Sequence, residues 1–236
     1  IVQDADEQAR KNLHLMVAPF ILRRMKQDVL DDLPEKIETV MTSEMTPGQA
    51  KVYHAHAEKL MQEAESELAD PQGRIKLLAG LTRLRQLCCD PRLCLEGYAA
   101  GSGKLDQLLE LAGGLAAQGH RMLIFSQFTS MLALLEEALH DAGLQTLKLT
   151  GETDKLERMA LVEQFNGGDI PVFLISLKAG GTGLNLTGAD VVIHYDPWWN
   201  TAAQNQATDR AHRIGQTKGV QVFSLIASGT IEERIL

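Results

Sequence analysis

The stretch VFLISLKAGGTGLNLTGADVVIHY, residues 172–195, holds two short apolar runs on either side of a glycine-rich loop. The runs VFLIS (172–176) and VVIHY (191–195) are almost continuously apolar. This pattern is typical of strands that are buried on both faces of a parallel sheet. Because such a sheet needs helices on both faces, the stretch predicts an α/β fold.

Three further apolar runs lie outward from this stretch, namely MLIFS (122–126), LKLT (147–150) and VQVFSLI (220–226). Helix-length segments or loops separate them, which extends the predicted parallel sheet to five strands. Ligands of such sheets bind at the carboxyl ends of the strands. The polar residues that follow the runs are therefore candidate site residues: Ser126, Gln127, Thr150, Gly151, Ser176, Lys178 and Asp196.

The part of the chain from about residue 8 to residue 97 has a mostly helical pattern. Thr46-Pro47-Gly48-Gln49 reads as a capping box with proline at the first helical position, opening a helix that we expect to run through Ala69. A second helix is predicted over residues 72–89, and residues 37–44 alternate enough to form a strand. This region predicts a helical protrusion beside the sheet.

Composition limits the classes of function. The chain has 236 residues and a formal net charge of -8, which argues against a general polyanion binder but allows a local basic groove. Three cysteines are too few for a disulfide framework, and no ligand set for a metal is apparent, so we expect reduced, buried cysteines. No apolar stretch is long enough to cross a membrane, and we expect an intracellular fragment of a longer protein.

Two glycine-rich segments resemble phosphate-binding loops. Gly101-Ser102-Gly103-Lys104 fails as a Walker loop, because Leu105 follows the lysine and no strand precedes it. Ser102 is better explained as a helix cap. The run 179–185 follows a strand but lacks the GxGxxG spacing. It offers either a cradle of backbone N–H groups for an anion or a tight structural turn.

The stretch QNQATDRAHRIGQTKG, residues 204–219, places two arginines close together. Residues 202–214 contain no proline or glycine, so we expect a helix on which Gln206, Arg210 and Arg213 share one face at i, i+4 and i+7. The alternative is a solvated face on which Asp209 pairs with Arg213.

Three of these segments together resemble a known family. The segments IFSQF (124–128), GGTGLNLTGADVVIHYDPWWN (180–200) and QATDRAHRIGQ (206–216) resemble the second motor lobe of the SWI/SNF-type DNA-translocating ATPases of helicase superfamily two. FILRRMKQDVLDDLPEK (20–36) and LRQLCCDP (84–91) resemble the inter-lobe segments of that family. The resemblance covers nearly the whole chain and implies a RecA-like lobe.

The family resemblance implies a role for each candidate residue. ATP would bind between two lobes, with the phosphate loop and the Mg²⁺-binding acidic box on the first lobe. Arg210 and Arg213 would be arginine fingers assisted by Gln206, and Gly183 and Asn185 would lie at the nucleotide edge. The phosphates of one DNA strand would follow Ser126, Gln127, Thr150, Gly151, Ser176 and Lys178.

Two further assignments come from the same resemblance. Trp199 would lie beside the DNA groove, or else pack against Trp198. Arg23 and Arg24 would form a basic pair at the hinge, or else a capped helix end.

The resemblance also implies a domain division and an activity. Residues 1–36 would be the end of the first lobe and the linker, residues 37–100 a strand and helical insertion, and residues 101–236 the RecA-like core. The implied function is ATP-driven translocation on double-stranded DNA, with the first lobe of the same polypeptide as partner, no membrane, and a cytoplasmic, nucleoid or nuclear location. A strand-separating helicase and a non-catalytic, protein-binding lobe are the alternatives. This chain alone is expected to be inactive.

Overall fold

The computed structural model describes residues 12–13, 15–20, 33–67, 71–180 and 183–235. The chain divides into two compact units, Ile1–Leu33 and Pro34–Leu236. In the first unit residues 12–13 and 15–17 are helical, Ala18–Phe20 form a 3-10 turn, and Leu33 lies in a bend. The predicted hinge pair, Arg23 and Arg24, lies outside the described residues.

The described part of the second unit contains one six-stranded sheet with every pairing parallel, in the order β1-β6-β5-β2-β4-β3. This confirms the predicted parallel sheet and adds residues 36–43 to it as an edge strand. The strands are β1 (Lys36–Ser43), β2 (Met122–Ser126), β3 (Thr146–Leu149), β4 (Val172–Ser176), β5 (Val191–His194) and β6 (Val220–Ala227).

Helices cover both faces of the sheet because successive strand residues point to opposite sides. The helices are α1 (Pro47–Glu67), α2 (Pro71–Cys89), α3 (Gly103–Ala117), α4 (Thr129–Asp141), α5 (Lys155–Gly167), α6 (Leu177–Gly180) and α7 (Thr201–Thr208). On one face Met122 and Ile124 pack in a cluster with apolar side chains of α3 and α4. On the other face Leu123 and Phe125 pack with side chains of α5 and α7.

The helical protrusion is the hairpin of α1 and α2. Thr46 Oγ1 accepts a hydrogen bond from Gln49 N at 3.2 Å, which is one half of the predicted capping box. The Gln49 side chain does not complete the other half. It donates instead to the carbonyls of Leu87 at 2.9 Å and Cys88 at 3.2 Å and accepts from Gly103 N at 3.2 Å. This buried amide therefore ties α1 to α2 and to the start of α3.

The segment Gly101–Lys104 has a structural role. Ser102 caps α3, as predicted, and its hydroxyl also donates to Cys89 O at 2.8 Å. A Cβ atom at position 103 would lie 1.9 Å from Glu44 O, so only glycine fits there. Lys104 points into the core and pairs with Glu232, both side chains being fully buried. This lysine is unavailable to a phosphate.

Candidate functional site

The carboxyl ends of β2, β4 and β3 lie side by side at one edge of the sheet. Ser126 is in register with Ser176, and Leu149 is in register with Ile175. The structure therefore brings together one group of predicted residues, which we call the carboxyl edge: Ser126, Gln127, Thr150, Gly151, Ser176 and Lys178.

The two serines of the carboxyl edge are buried and bond to their own loops. Ser126 Oγ accepts from Phe128 N at 3.1 Å, and Ser176 Oγ accepts from Ala179 N at 3.3 Å. Both residues are at most 2% exposed. Their hydroxyls shape the loops that follow the strands, while Gly151 and Lys178 are the exposed members of the edge.

The loop after β3 is held by its own side chains. Thr150 N donates to Thr153 Oγ1 at 3.1 Å, and Thr150 Oγ1 accepts from Glu152 N at 3.3 Å. Gly151 has open space where a Cβ would be. A backbone N–H without a neighbouring side chain is well suited to contact with a sugar-phosphate chain.

Gln127 is held by Arg85 and Asp196, and the sequence did not predict either contact. Its backbone N–H donates to both carboxylate oxygens of Asp196 at 3.3 Å, and its side-chain Oε1 accepts from Arg85 Nη1 at 2.9 Å. Burial raises the pKa of Asp196, and the Ser126 hydrogen bond and the Lys104 and Arg85 charges oppose that shift. Trp199 is 55% exposed, and its ring centroid lies 5.6 Å from the Arg85 guanidinium carbon.

The prediction of one helix over residues 202–214 is wrong, because α7 ends at Thr208 and Asp209 is its C-cap. Directly after Asp209 two backbone N–H groups bond three residues back instead of four, Arg210 N to Ala207 O and Ala211 N to Thr208 O, at 3.1 Å each. Arg210 O, which Ile214 N would need in a longer helix, accepts instead from Leu186 N at 3.0 Å. Tertiary hydrogen bonds thus override the local helix pattern. Gln206 lies on α7, whereas both arginines lie in the turns that follow.

The two arginines differ in environment. Arg210 is 6% exposed, and its Nε has no hydrogen-bond partner among the described residues. Burial and the charge of Arg213 lower the pKa of Arg210, and Asp209 opposes the shift. Arg213 is exposed. The Arg213 charge and the Asp209 charge act on Arg210 with opposite signs. Two guanidiniums so close together are the groups that suit a phosphate anion.

The glycine loop and the arginine segment meet. The hydrogen bond from Leu186 N to Arg210 O places residues 183–186 against the turns that carry both arginines. Gly183 adopts a φ of +49°, which favours glycine, and Asn185 O accepts from Asn166 Nδ2 at 2.8 Å. Both residues border a groove of about 620 Å³ beside α5, which Lys155, Arg158 and Leu184 also line. Gly181 and Thr182 of the predicted anion cradle lie outside the described residues.

The sequence matches two family descriptions, the SNF2-related domain over residues 2–93 and the helicase conserved C-terminal domain over residues 103–215. It is similar to the SWI2/SNF2 ATPase C-terminal domain of Sulfolobus solfataricus, with 31% identity and a TM-score of 0.72, over 85% of this chain and 83% of that domain. This chain belongs to the SNF2 family of ATPases. The parallel sheet of this SNF2 lobe is accordingly RecA-like.

Several relatives of this chain are longer than the chain itself. The Sulfolobus solfataricus SWI2/SNF2 ATPase core in complex with double-stranded DNA is 34% identical, with a TM-score of 0.75, over 99% of this chain and 50% of that one. YwqA of Bacillus subtilis, an ATP-dependent helicase/translocase by name, is 42% identical over an alignment of 243 positions that covers 100% of this chain. The SNF2 lobe spans about a quarter of the curated relatives it matches, 26% in YwqA.

Two further observations bear on cofactors and membranes. Within residues 33–67, 71–180 and 183–235, no three His, Cys, Asp or Glu side chains are grouped as an all-protein metal site would require. The described helices include none long and apolar enough to span a bilayer.

The buried position of His194, at the end of β5, predicts that the SNF2 lobe loses stability in acid. It is 2% exposed, its Nε2 hydrogen-bonds Thr208 Oγ1 at 2.9 Å, and burial lowers its pKa to about 4, although Glu38 opposes the shift. An unfolded histidine binds its proton near pH 6.5. Between pH 6.5 and 4 the unfolded chain binds a proton at His194 that the folded chain does not bind. The unfolding free energy is therefore highest above pH 6.5 and falls as the pH drops towards 4.

We expect His194 to cost the 236-residue chain about 2 kcal/mol of unfolding free energy at pH 5 relative to pH 7, and about 3 kcal/mol at pH 4. Urea unfolding at these pH values measures the loss. His194→Gln should remove this part of the pH dependence. His140→Gln is the matched control, because exposed His140 also hydrogen-bonds a threonine hydroxyl, that of Thr146, at 2.9 Å. Equal slopes for wild type and His194→Gln would refute the assignment.

Proposed function

We propose that this chain is the second motor lobe of an ATP-driven, double-stranded-DNA translocase. The observation that supports the proposal most directly is the contact between the glycine loop at 183–186 and the segment of Arg210 and Arg213. A loop of backbone N–H groups and two guanidiniums are complementary to a triphosphate. The carboxyl edge lies on the same lobe and offers backbone and polar groups to a DNA strand.

In this proposal Arg210 and Arg213 act on the phosphates of ATP that the first lobe of the same polypeptide holds. Phosphoryl transfer spreads negative charge over the phosphate oxygens, and a guanidinium placed against them stabilises that charge. Gln206 assists from α7, and Gly183 and Asn185 border the nucleotide. Mg²⁺ would be held mainly by the first lobe, since the described residues of this chain offer no acidic group of three.

The proposed domain division follows the sequence interpretation. Residues 1–36 would end the first lobe and form the linker, residues 37–100 would form the edge strand and helical insertion, and residues 101–236 the core. The division between compact units after Leu33 and the match of the helicase C-terminal domain from residue 103 support these boundaries.

The alternative activity is strand separation, because the name of YwqA includes the word helicase. A strand-displacement assay on the full-length protein separates the two outputs. A translocase hydrolyses ATP on duplex DNA without releasing a labelled strand. Release of that strand at a rate coupled to ATP turnover would favour the helicase.

The chain alone should bind DNA weakly and hydrolyse no ATP. Its net charge of -8 opposes a polyanion, and the carboxyl edge reaches only a few phosphates. We expect fluorescence anisotropy with a labelled duplex to show affinity that falls steeply with salt and does not depend on sequence. Tight, base-specific binding at physiological salt, or appreciable ATP turnover by the chain alone, would contradict the proposal.

A further inference from the structure

Arg85 on α2 is a buried arginine outside the predicted site. It is 5% exposed, although its helix belongs to the protrusion and not to the sheet. Keeping a guanidinium out of water is costly unless partners compensate for the lost hydration. The groups that contact the Arg85 guanidinium therefore indicate the role of this buried charge.

The hydrogen bonds of Arg85 reach two different loops. Its Nη1 donates to Gln127 Oε1 at 2.9 Å, in the loop after β2, and its Nη2 donates to Pro197 O at 2.5 Å, in the loop after β5. Its Nη2 also lies 4.0 Å from the buried Asp196 carboxylate. One side chain thus joins the helical protrusion to two strand ends of the sheet.

Three aromatic rings surround the same guanidinium. Its carbon lies 5.6 Å from the ring centroid of Trp199, 5.8 Å from that of Trp198 and 5.9 Å from that of Phe128. These distances are within the range of cation–π attraction. Because Trp199 is 55% exposed, Arg85 supports from beneath a ring that faces solvent next to the carboxyl edge.

Two buried donors in this cluster lack an acceptor. Among the described residues, neither Arg85 Nε nor Gln127 Nε2 has a hydrogen-bond partner, and the bond from Arg85 to Gln127 Oε1 fixes which end of the amide is left unpaired. Native structures rarely leave such donors unpaired. Neither atom is exposed to solvent, so Gln127 Nε2 can donate to a phosphate oxygen of a DNA strand only once its amide turns outward to the carboxyl edge.

We propose that Arg85 is a positioning residue for DNA, which orients Gln127 and Trp199 towards the phosphates of a duplex strand. This inference rests on the proposed function. It also links two parts of the lobe mechanically. If the α1–α2 hairpin moved, Arg85 would move with it and shift the Gln127 side chain at the carboxyl edge.

The test uses the full-length protein and measures ATP turnover against the concentration of a duplex of arbitrary sequence. Arg85→Lys keeps the charge but not the planar, two-armed geometry. We expect it to raise the half-saturating duplex concentration about tenfold, with turnover at saturating duplex within about twofold of wild type. Arg83→Lys, on the exposed side of the same helix, is the matched control and should leave both values unchanged.

Gln127→Glu tests the same link without touching Arg85. It keeps the acceptor that Arg85 uses and removes the unpaired donor, so the melting temperature should hold while the half-saturating concentration rises. Gln127→Ala is measured as a further single variant. The double variant Arg85→Lys/Gln127→Ala should then be no worse than the more impaired of its two single variants, because both changes break the same contact between Arg85 and Gln127.

An unchanged half-saturating concentration in Gln127→Glu, or additive effects in the double variant, would overturn the role of Arg85. If duplex DNA fails to stimulate the wild-type ATPase at all, the proposed function itself fails. The two failures are therefore distinguishable in one set of titrations.

Discussion

Replacing Arg210 or Arg213 with Ala in the full-length protein should lower DNA-stimulated ATP turnover by about two to four orders of magnitude. The lost guanidinium acts mainly on the charge that develops in the transition state, so affinity for DNA should change little. Arg213 gives the cleaner variant because its side chain is exposed. Arg210 is buried, so its loss also removes packing, and melting temperature must be measured on the same preparation.

Lys at either position should rescue turnover poorly, because an ammonium cannot make the two-armed contact of a guanidinium. Lys218→Ala is a suitable control, since this cation is 64% exposed and lies in the same segment. If Asp209 merely pairs with Arg213 on a solvated face, Arg213→Ala will cost well under about 1 kcal/mol and leave turnover intact. Near-normal turnover in both Ala variants would remove the finger assignment.

The second large effect concerns stability. Lys104→Met should lower the unfolding free energy of the 236-residue chain by about 3–5 kcal/mol, because it leaves the carboxylate of Glu232 buried without its cation. Both side chains are fully buried. Burial lowers the pKa of Lys104, but the negative charge and the hydrogen bond of Glu232 raise it, and the net shift is upward.

Urea unfolding measures this loss, with exposed Lys51→Met as the control. The double variant Lys104→Met/Glu232→Gln should recover part of it. The introduced amide carries no charge, and its oxygen could still accept the Ala227 N–H, which Glu232 Oε2 accepts at 2.8 Å. A loss for Lys104→Met no larger than that for Lys51→Met would show that the pair does not matter to the fold.

The sheet could be predicted from the sequence because its signal is local. Each buried strand is a short apolar run, and parallel strands need covering helices, so residues 122–126 and 172–176 were predicted with the bounds observed. Because parallel strands end at the same edge of a sheet, the polar residues that follow these strands were also predicted to lie together. Only the three-dimensional packing could show that Ser126 and Ser176 are buried.

The predictions from sequence were wrong or incomplete where a residue bonds to groups that are distant in the chain. Residues 202–214 carry no helix breaker, yet Leu186 N, which is distant in the sequence, bonds the Arg210 carbonyl that Ile214 N would need in a longer helix. Gln49 was expected to close a capping box, and it bonds to α2 and α3 instead. Arg85 gave no signal, because its partners Gln127 and Pro197 are 42 and 112 residues away in the chain.

The measurement that tests the account most directly is the rate of ATP hydrolysis by the full-length protein with and without duplex DNA, for wild type and Arg213→Ala in parallel. We predict that duplex DNA of any sequence accelerates hydrolysis by the wild type and that Arg213→Ala loses this acceleration while still binding the duplex. Hydrolysis that is indifferent to DNA, or an Arg213→Ala variant that DNA accelerates as strongly as the wild type, would contradict the account.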